Sequence, residues 1–132
     1  MALPNNSKKM SEIKSYKDLL IWQKGIDIVC MTYKLVSSFP KDELYALSSQ
    51  IKRSSVSVPS NIAEGYGRQS TQSYIQFIKI ARGSLCELET QLLVANKLDF
   101  INDEKLFLEL SNQIIEESKM INSFLNKLET SK

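Results

Sequence analysis

Four successive stretches of this chain repeat apolar residues at three- and four-residue intervals, and none of useful length alternates apolar with polar. That spacing commits the chain to helices. The links between the stretches are short, which favours antiparallel neighbours. The expected fold is all-α, an antiparallel up-down-up-down four-helix bundle. Helix one is expected over about 16–38, ending before Pro40, with Trp22, Ile26, Val29, Tyr33 and Val36 on its core side and Leu19 and Cys30 near them. Helix two is expected over about 42–66, with Asp42 as N-cap and Leu44, Leu47, Ile51, Val58, Ile62 and Tyr66 as its stripe. Helix three starts near Ser70 or Thr71 and presents Tyr74, Phe77, Ile78, Ala81, Leu85, Leu88, Leu92 and Ala95. Helix four begins after Asn102, with Asp103 and Glu104 in its first turn, where carboxylates suit the helix dipole. Its stripe is Leu106, Phe107, Leu110, Ile114, Ile121, Phe124, Leu125 and Leu128.

Helix two carries a proline that ought to break it. Pro59 has no N–H, and its ring displaces the carbonyl of Ser55, so a bend near 55–59 is expected, with Ser54, Ser55, Ser57 and Ser60 at hand to satisfy freed backbone groups. Gly65 and Gly67 read as the helix stop, one of them at positive φ. Gly83 falls inside helix three. A helix interior that tolerates proline or glycine, at roughly 3 and 1 kcal/mol relative to alanine, suggests close packing between helices two and three.

At 132 residues the chain is of single-domain size and needs no disulfide or metal to fold. The bundle domain is expected over 16–129, preceded by a flexible tail, 1–15. No apolar run approaches the roughly 20 residues that cross a bilayer, and the polar start does not read as a secretory signal. Cys30 and Cys86, far apart in apolar helical stretches, read as buried free thiols, which suits a cytoplasmic protein with no membrane attachment. The net charge of +2 hides an asymmetry. Residues 1–82 hold 12 Lys/Arg against 6 Asp/Glu, and residues 83–132 hold 5 against 9. The basic part could meet the acidic part of another copy, or a polyanion.

The absence of histidine removes the commonest general base and metal ligand. Remaining candidate ligands are carboxylates such as Glu116 and Glu117, which point about 100° apart on a helix. No phosphate-binding loop is present, since Gly65-Tyr-Gly67 is too short and lacks the lysine spacing. The chain is expected to be no enzyme and to need no cofactor.

Two helices carry surplus apolar residues. Ile21, Ile28 and Leu35 recur every seven residues on helix one, opposite the assigned stripe, and Leu108 and Ile115 do so on helix four. Left exposed, such strips mark an interface, so these five are the expected contact between copies of the chain. Asn61, Glu64, Arg82, Ser84 and Glu87 form an expected polar cluster between helices two and three, with Arg82 paired to Glu64 or Glu87. On that reading Glu64→Ala lowers the melting temperature markedly. Lys17, Lys24, Lys52, Arg53, Arg68 and Lys79 are the candidate phosphate contacts. No aromatic residue interleaves with them along the chain, so base stacking is not expected.

The runs Ser57-Val-Pro-Ser-Asn-Ile-Ala-Glu-Gly-Tyr-Gly-Arg68 and Ala81-Arg-Gly-Ser-Leu-Cys-Glu-Leu88 resemble the signature of the 23S rRNA intervening-sequence protein family, also called the four helix bundle protein family. Tyr16-Lys-Asp-Leu-Leu-Ile-Trp-Gln-Lys24 and Phe39-Pro40 resemble its first helix and first turn, and the resemblance spans roughly 16–128. It implies the bundle fold and assembly with itself as a homopentamer. A similar fold serves as the accessory variability determinant of diversity-generating retroelements, which binds a reverse transcriptase and nucleic acid. The resemblance therefore implies an RNA- or DNA-binding accessory role, with a protein partner such as a reverse transcriptase. A homo-oligomeric adaptor that binds no nucleic acid is the alternative.

Overall fold

A computed structural model describes residues 12–131, so the first eleven residues of the expected tail lie outside the described residues. Among the described residues the structure has four α-helices and 3₁₀ turns at Tyr16–Asp18 and Lys41–Glu43, with no strand. The helices are α1 (Leu20–Val36), α2 (Leu47–Tyr66), α3 (Thr71–Lys97) and α4 (Glu104–Thr130). Each packs on its neighbours in chain order, and α4 closes back on α1. The 27 residues of α3 or α4 span about 40 Å, far more than the links between helices can retrace. The ends meet accordingly. Tyr66, closing α2, reaches the carbonyl of Ile13 before α1, while Phe100 after α3 contacts Phe39 after α1 at 6.0 Å. Asn102 ties the same end by donating to the Ser38 carbonyl at 3.0 Å.

Helix starts follow local chemistry. Ser70 accepts from the Ser73 N–H and Asp103 from the Leu106 N–H, capping α3 and α4. Asp42 caps nothing of this kind. It sits in a 3₁₀ turn, Lys41–Glu43, and the chain turns once more before α2 begins at Leu47. Likewise a 3₁₀ turn at Tyr16–Asp18, capped by Ser15, precedes α1. The positive φ expected at Gly65 or Gly67 occurs at neither. Among the described residues it belongs to Asp99, at 61°, where the Phe100 N–H bonds to the Ala95 carbonyl and the Asp99 N–H to that of Asn96. This pair of bonds closes α3 with a Schellman motif built on aspartate.

The core corrects the reading of α1. Ile21, Ile28 and Leu35 are buried inside the bundle, at 3%, 0% and 1% exposure, so they are no contact between copies. The exposed side of α1 instead carries Ile26, Tyr33 and Cys30. The helix is turned because Gly25 and Thr32, both buried, occupy core positions beside those three residues. Their small side chains dilute the apolar signal on the true inner face. A Cβ on Gly25 would stand 3.3 Å from the Pro59 ring and 3.4 Å from Glu117 Oε2, so the glycine lets α1 approach α2 and α4. Cys86 is exposed as well, so neither thiol is a core residue.

α2 runs unbroken through Pro59, whose ring is buried against α1. The close α2–α3 approach rests on Gly65, where a Cβ would lie 2.9 Å from Phe77 Cβ. Gly83 plays no such part, since nothing lies within 4 Å of a Cβ built there.

Candidate nucleic-acid interface

The six candidate cations do not form one surface. Lys24 is drawn into the α1–α4 seam, where its ammonium lies 3.1 Å from Glu116 Oε2 and donates to Gln113. Its side chain is only 15% exposed, which removes it from phosphate contact. The groove around it carries both signs, with Asp27, Glu109 and Lys119 on its walls. Arg68 is engaged too, 3.3 Å from Glu64 and stacked 4.5 Å from the Phe77 ring. Lys17 and Lys79 are exposed on separate elements.

Lys52 and Arg53 share a groove formed by α1, the first link and the start of α2. Its walls include Tyr33, Leu44, Tyr45 and Val56, and among the described residues no carboxylate lines it. Neither cation has an ion-pair partner among the described residues. The Lys52 ammonium sits 5.2 Å over the Tyr33 ring, within cation–π range. Tyr45, in the turn before α2, is 92% exposed. Aromatic rings therefore do accompany the basic residues, contrary to the expectation from the linear sequence. Tyr33 arrives from a different helix, and helix packing brings it beside Lys52.

The polar cluster also forms differently. Ser54 donates to Glu87 Oε1 at 2.8 Å, the Ser57 and Ser84 hydroxyls lie 2.8 Å apart, and the Asn61 amide donates to the Ser57 carbonyl and hydroxyl. The Ser54–Glu87 and Ser57–Ser84 contacts bind α2 to α3, while the Asn61 bonds stay within α2 and orient Ser57. Arg82 does not join them. It donates to Asn122 Oδ1 on α4 at 3.1 Å. Residues 82 and 84 lie about 200° apart around α3, so one faces α4 while the other faces α2. Glu64 is exposed and turns to Arg68, one helical turn on.

Sequence reasoning missed the role of Glu117. Its side chain is fully buried, yet among the described residues neither carboxylate oxygen has a hydrogen-bond partner. Burial pushes its pKa up to about 8, and the Lys24 ammonium opposes that rise. The spacing could have revealed it, since Glu117 falls between Ile114 and Ile121 on the core stripe of α4. Tyr74 is a lesser case. Its hydroxyl is buried with no hydrogen-bond partner among the described residues, and burial with the neighbouring Tyr66 pushes its pKa upward. Among the described residues no three His, Cys, Asp or Glu side chains gather to hold a metal, and no helix is long and apolar enough to cross a membrane.

No curated protein matches the chain. A crystal structure at 1.70 Å resolution of a protein of unknown function, from the S23 ribosomal protein family of Bacteroides thetaiotaomicron, aligns with a TM-score of 0.73. It is 23% identical, and the alignment covers 81% of this chain and 96% of that one. At that identity the likeness establishes the fold alone. The sequence model of 23S rRNA-intervening sequence protein matches residues 17–123, from the 3₁₀ turn before α1 to within two turns of the end of α4, and on that match the chain belongs to the 23S rRNA-intervening sequence protein family.

Proposed function

We propose that this protein is a non-enzymatic, homo-oligomeric helix-bundle module that binds RNA or DNA through the phosphate backbone. The observation that carries this reading is the groove with Lys52 and Arg53, two cations with no carboxylate on its walls. Positive charge that no internal carboxylate neutralises is available to an anion. Repetition of the groove around an oligomer multiplies modest single contacts. The name of the family, which refers to intervening sequences of 23S rRNA, agrees with a ribonucleic acid setting. The test is a titration of labelled structured RNA and duplex DNA at several salt concentrations. Affinity should fall linearly on a log–log plot, with a slope that shrinks by about one for each cation removed at Lys52 or Arg53. No binding at low salt by intact protein refutes it.

The second reading, a homo-oligomeric adaptor without nucleic acid, is favoured by the α3–α4 face. Leu108 and Ile115 are 55% and 46% exposed, and Leu93 on α3 is exposed as well. Burial of this face against another copy is the reading for self-association, with five as the number implied by the family resemblance. Light scattering at micromolar concentration tests it, and Ile115→Glu should shift the population toward single chains.

A further inference from the structure

We propose that the groove between α1 and the start of α2 binds single-stranded nucleic acid, with a base stacked on Tyr45 while Lys52 and Arg53 hold the flanking phosphates. The proposal rests on the nucleic-acid reading above and makes it specific. Tyr45 makes no packing contribution to the bundle at 92% exposure, so its ring is open to a planar ligand on both faces. Tyr33 differs. One face of its ring is already covered by the Lys52 ammonium, which makes it a support for the cation. Leu44 and Val56, both exposed on the same groove, give an apolar floor for a base or sugar. A flat apolar ring next to unneutralised cations, in a groove with no carboxylate, matches an anion that carries planar rings. Duplexes keep their bases stacked on one another and offer such a groove only phosphate. A single strand can place a base on the ring and its phosphates on the cations together. A protein partner could use the same apolar side chains, but it would have to supply carboxylates against Lys52 and Arg53.

The test uses fluorescein-labelled oligo(dT) and oligo(U) of about 20 nucleotides, and a duplex of equal length, titrated with the full chain and followed by anisotropy. Single strands should bind more tightly than the duplex. Tyr45→Ala should weaken single-strand binding by between about five-fold and about a hundred-fold, the range that loss of one base–aromatic stack produces. Tyr45→Phe should restore it, since the phenyl ring keeps the stacking face. Because Tyr45 is exposed, the Ala variant should show an unchanged thermal melt, which keeps loss of fold apart from loss of binding. Lys52→Gln should reduce the salt slope for the single strand by about 0.7. If the duplex binds equally well and Tyr45→Ala has no effect while Lys52→Gln weakens both, stacking is overturned and phosphate binding survives. If neither form binds at low salt, both readings fall together, and capture of an acidic protein on this groove becomes the replacement.

Discussion

Replacing Glu117 by methionine should stabilise this protein at neutral pH, and by an amount that grows with pH. In the unfolded chain the carboxyl titrates near its ordinary 4.5, whereas in the fold it stays protonated up to about 8. Below 4.5 both states hold the proton and the group costs nothing on this account. As pH rises from 4.5 the unfolded chain releases its proton and the folded chain does not, so folding stability falls by about 1.4 kcal/mol per pH unit. At pH 7 the accumulated loss is roughly 3 kcal/mol, and it levels off above about 8, where the folded carboxyl ionises as well. Methionine has similar length, needs no hydrogen bond and fits a gap between helices. Imperfect packing beside Gly25 should cost about 1 kcal/mol, leaving a gain of roughly 2 kcal/mol at pH 7. Urea unfolding followed by helical circular dichroism at pH 5, 6, 7 and 8, at one protein concentration, measures the difference between wild type and variant. Taking the difference cancels the other titrating groups. The gain should be near zero or negative at pH 5 and largest at pH 8. Lys24→Met should push the folded carboxyl higher still, because the ammonium that favours its charged form is gone. A gain that stays constant across this pH range would show that Glu117 ionises normally, and the reasoning from its burial would fail.

Four smaller perturbations test the helix contacts and ends. Gly65→Ala should destabilise by about 1–3 kcal/mol, because the new Cβ would stand 2.9 Å from Phe77 Cβ, while Gly83→Ala, with open space around it, should stabilise by about 0.5–1 kcal/mol; chemical denaturation of both variants checks the contrast. Asp99→Gly should stabilise by about 1 kcal/mol in the same assay, since glycine takes the φ of 61° without the steric cost to a Cβ. Glu64→Ala should change stability by no more than about 0.5 kcal/mol, as the exposed ion pair with Arg68 is worth no more than that, and a marked drop in melting temperature would show a partner other than Arg68.

Most of the fold was legible because α3 and α4 place large aliphatic residues at nearly every inner position. Ile78, Leu85, Leu88 and Leu92, and Leu110, Ile114 and Ile121, are all buried. α1 was misread because its inner face spends two positions on Gly25 and Thr32, while its outer face carries Ile26 and Tyr33. Apolar spacing finds the greasier side of a helix, and on α1 the tighter side is the buried one. The same limit hid Glu117, which a hydropathy reading scores as a surface residue although its position in the stripe is a core position. The candidate interface was half legible. Lys52 and Arg53 stand out as adjacent cations, but the ring beside Lys52 comes from α1, and proximity between helices cannot be read along one of them. Arg82 shows the reverse error, because neighbours in sequence were grouped although the turn of α3 sends them to opposite sides.

The shortest link in the bundle joins α2 to α3, only residues 67–70, and that pair also shares the Ser54–Glu87 and Ser57–Ser84 hydrogen bonds. The α1–α4 seam joins the two extremes of the chain and encloses an acid that neutral water would rather ionise. Chain closure therefore costs least at the hairpin and most at the seam. Amide exchange in the intact protein should show α2 and α3 as the slowest-exchanging unit, with α1 and α4 parting from each other well before the hairpin melts.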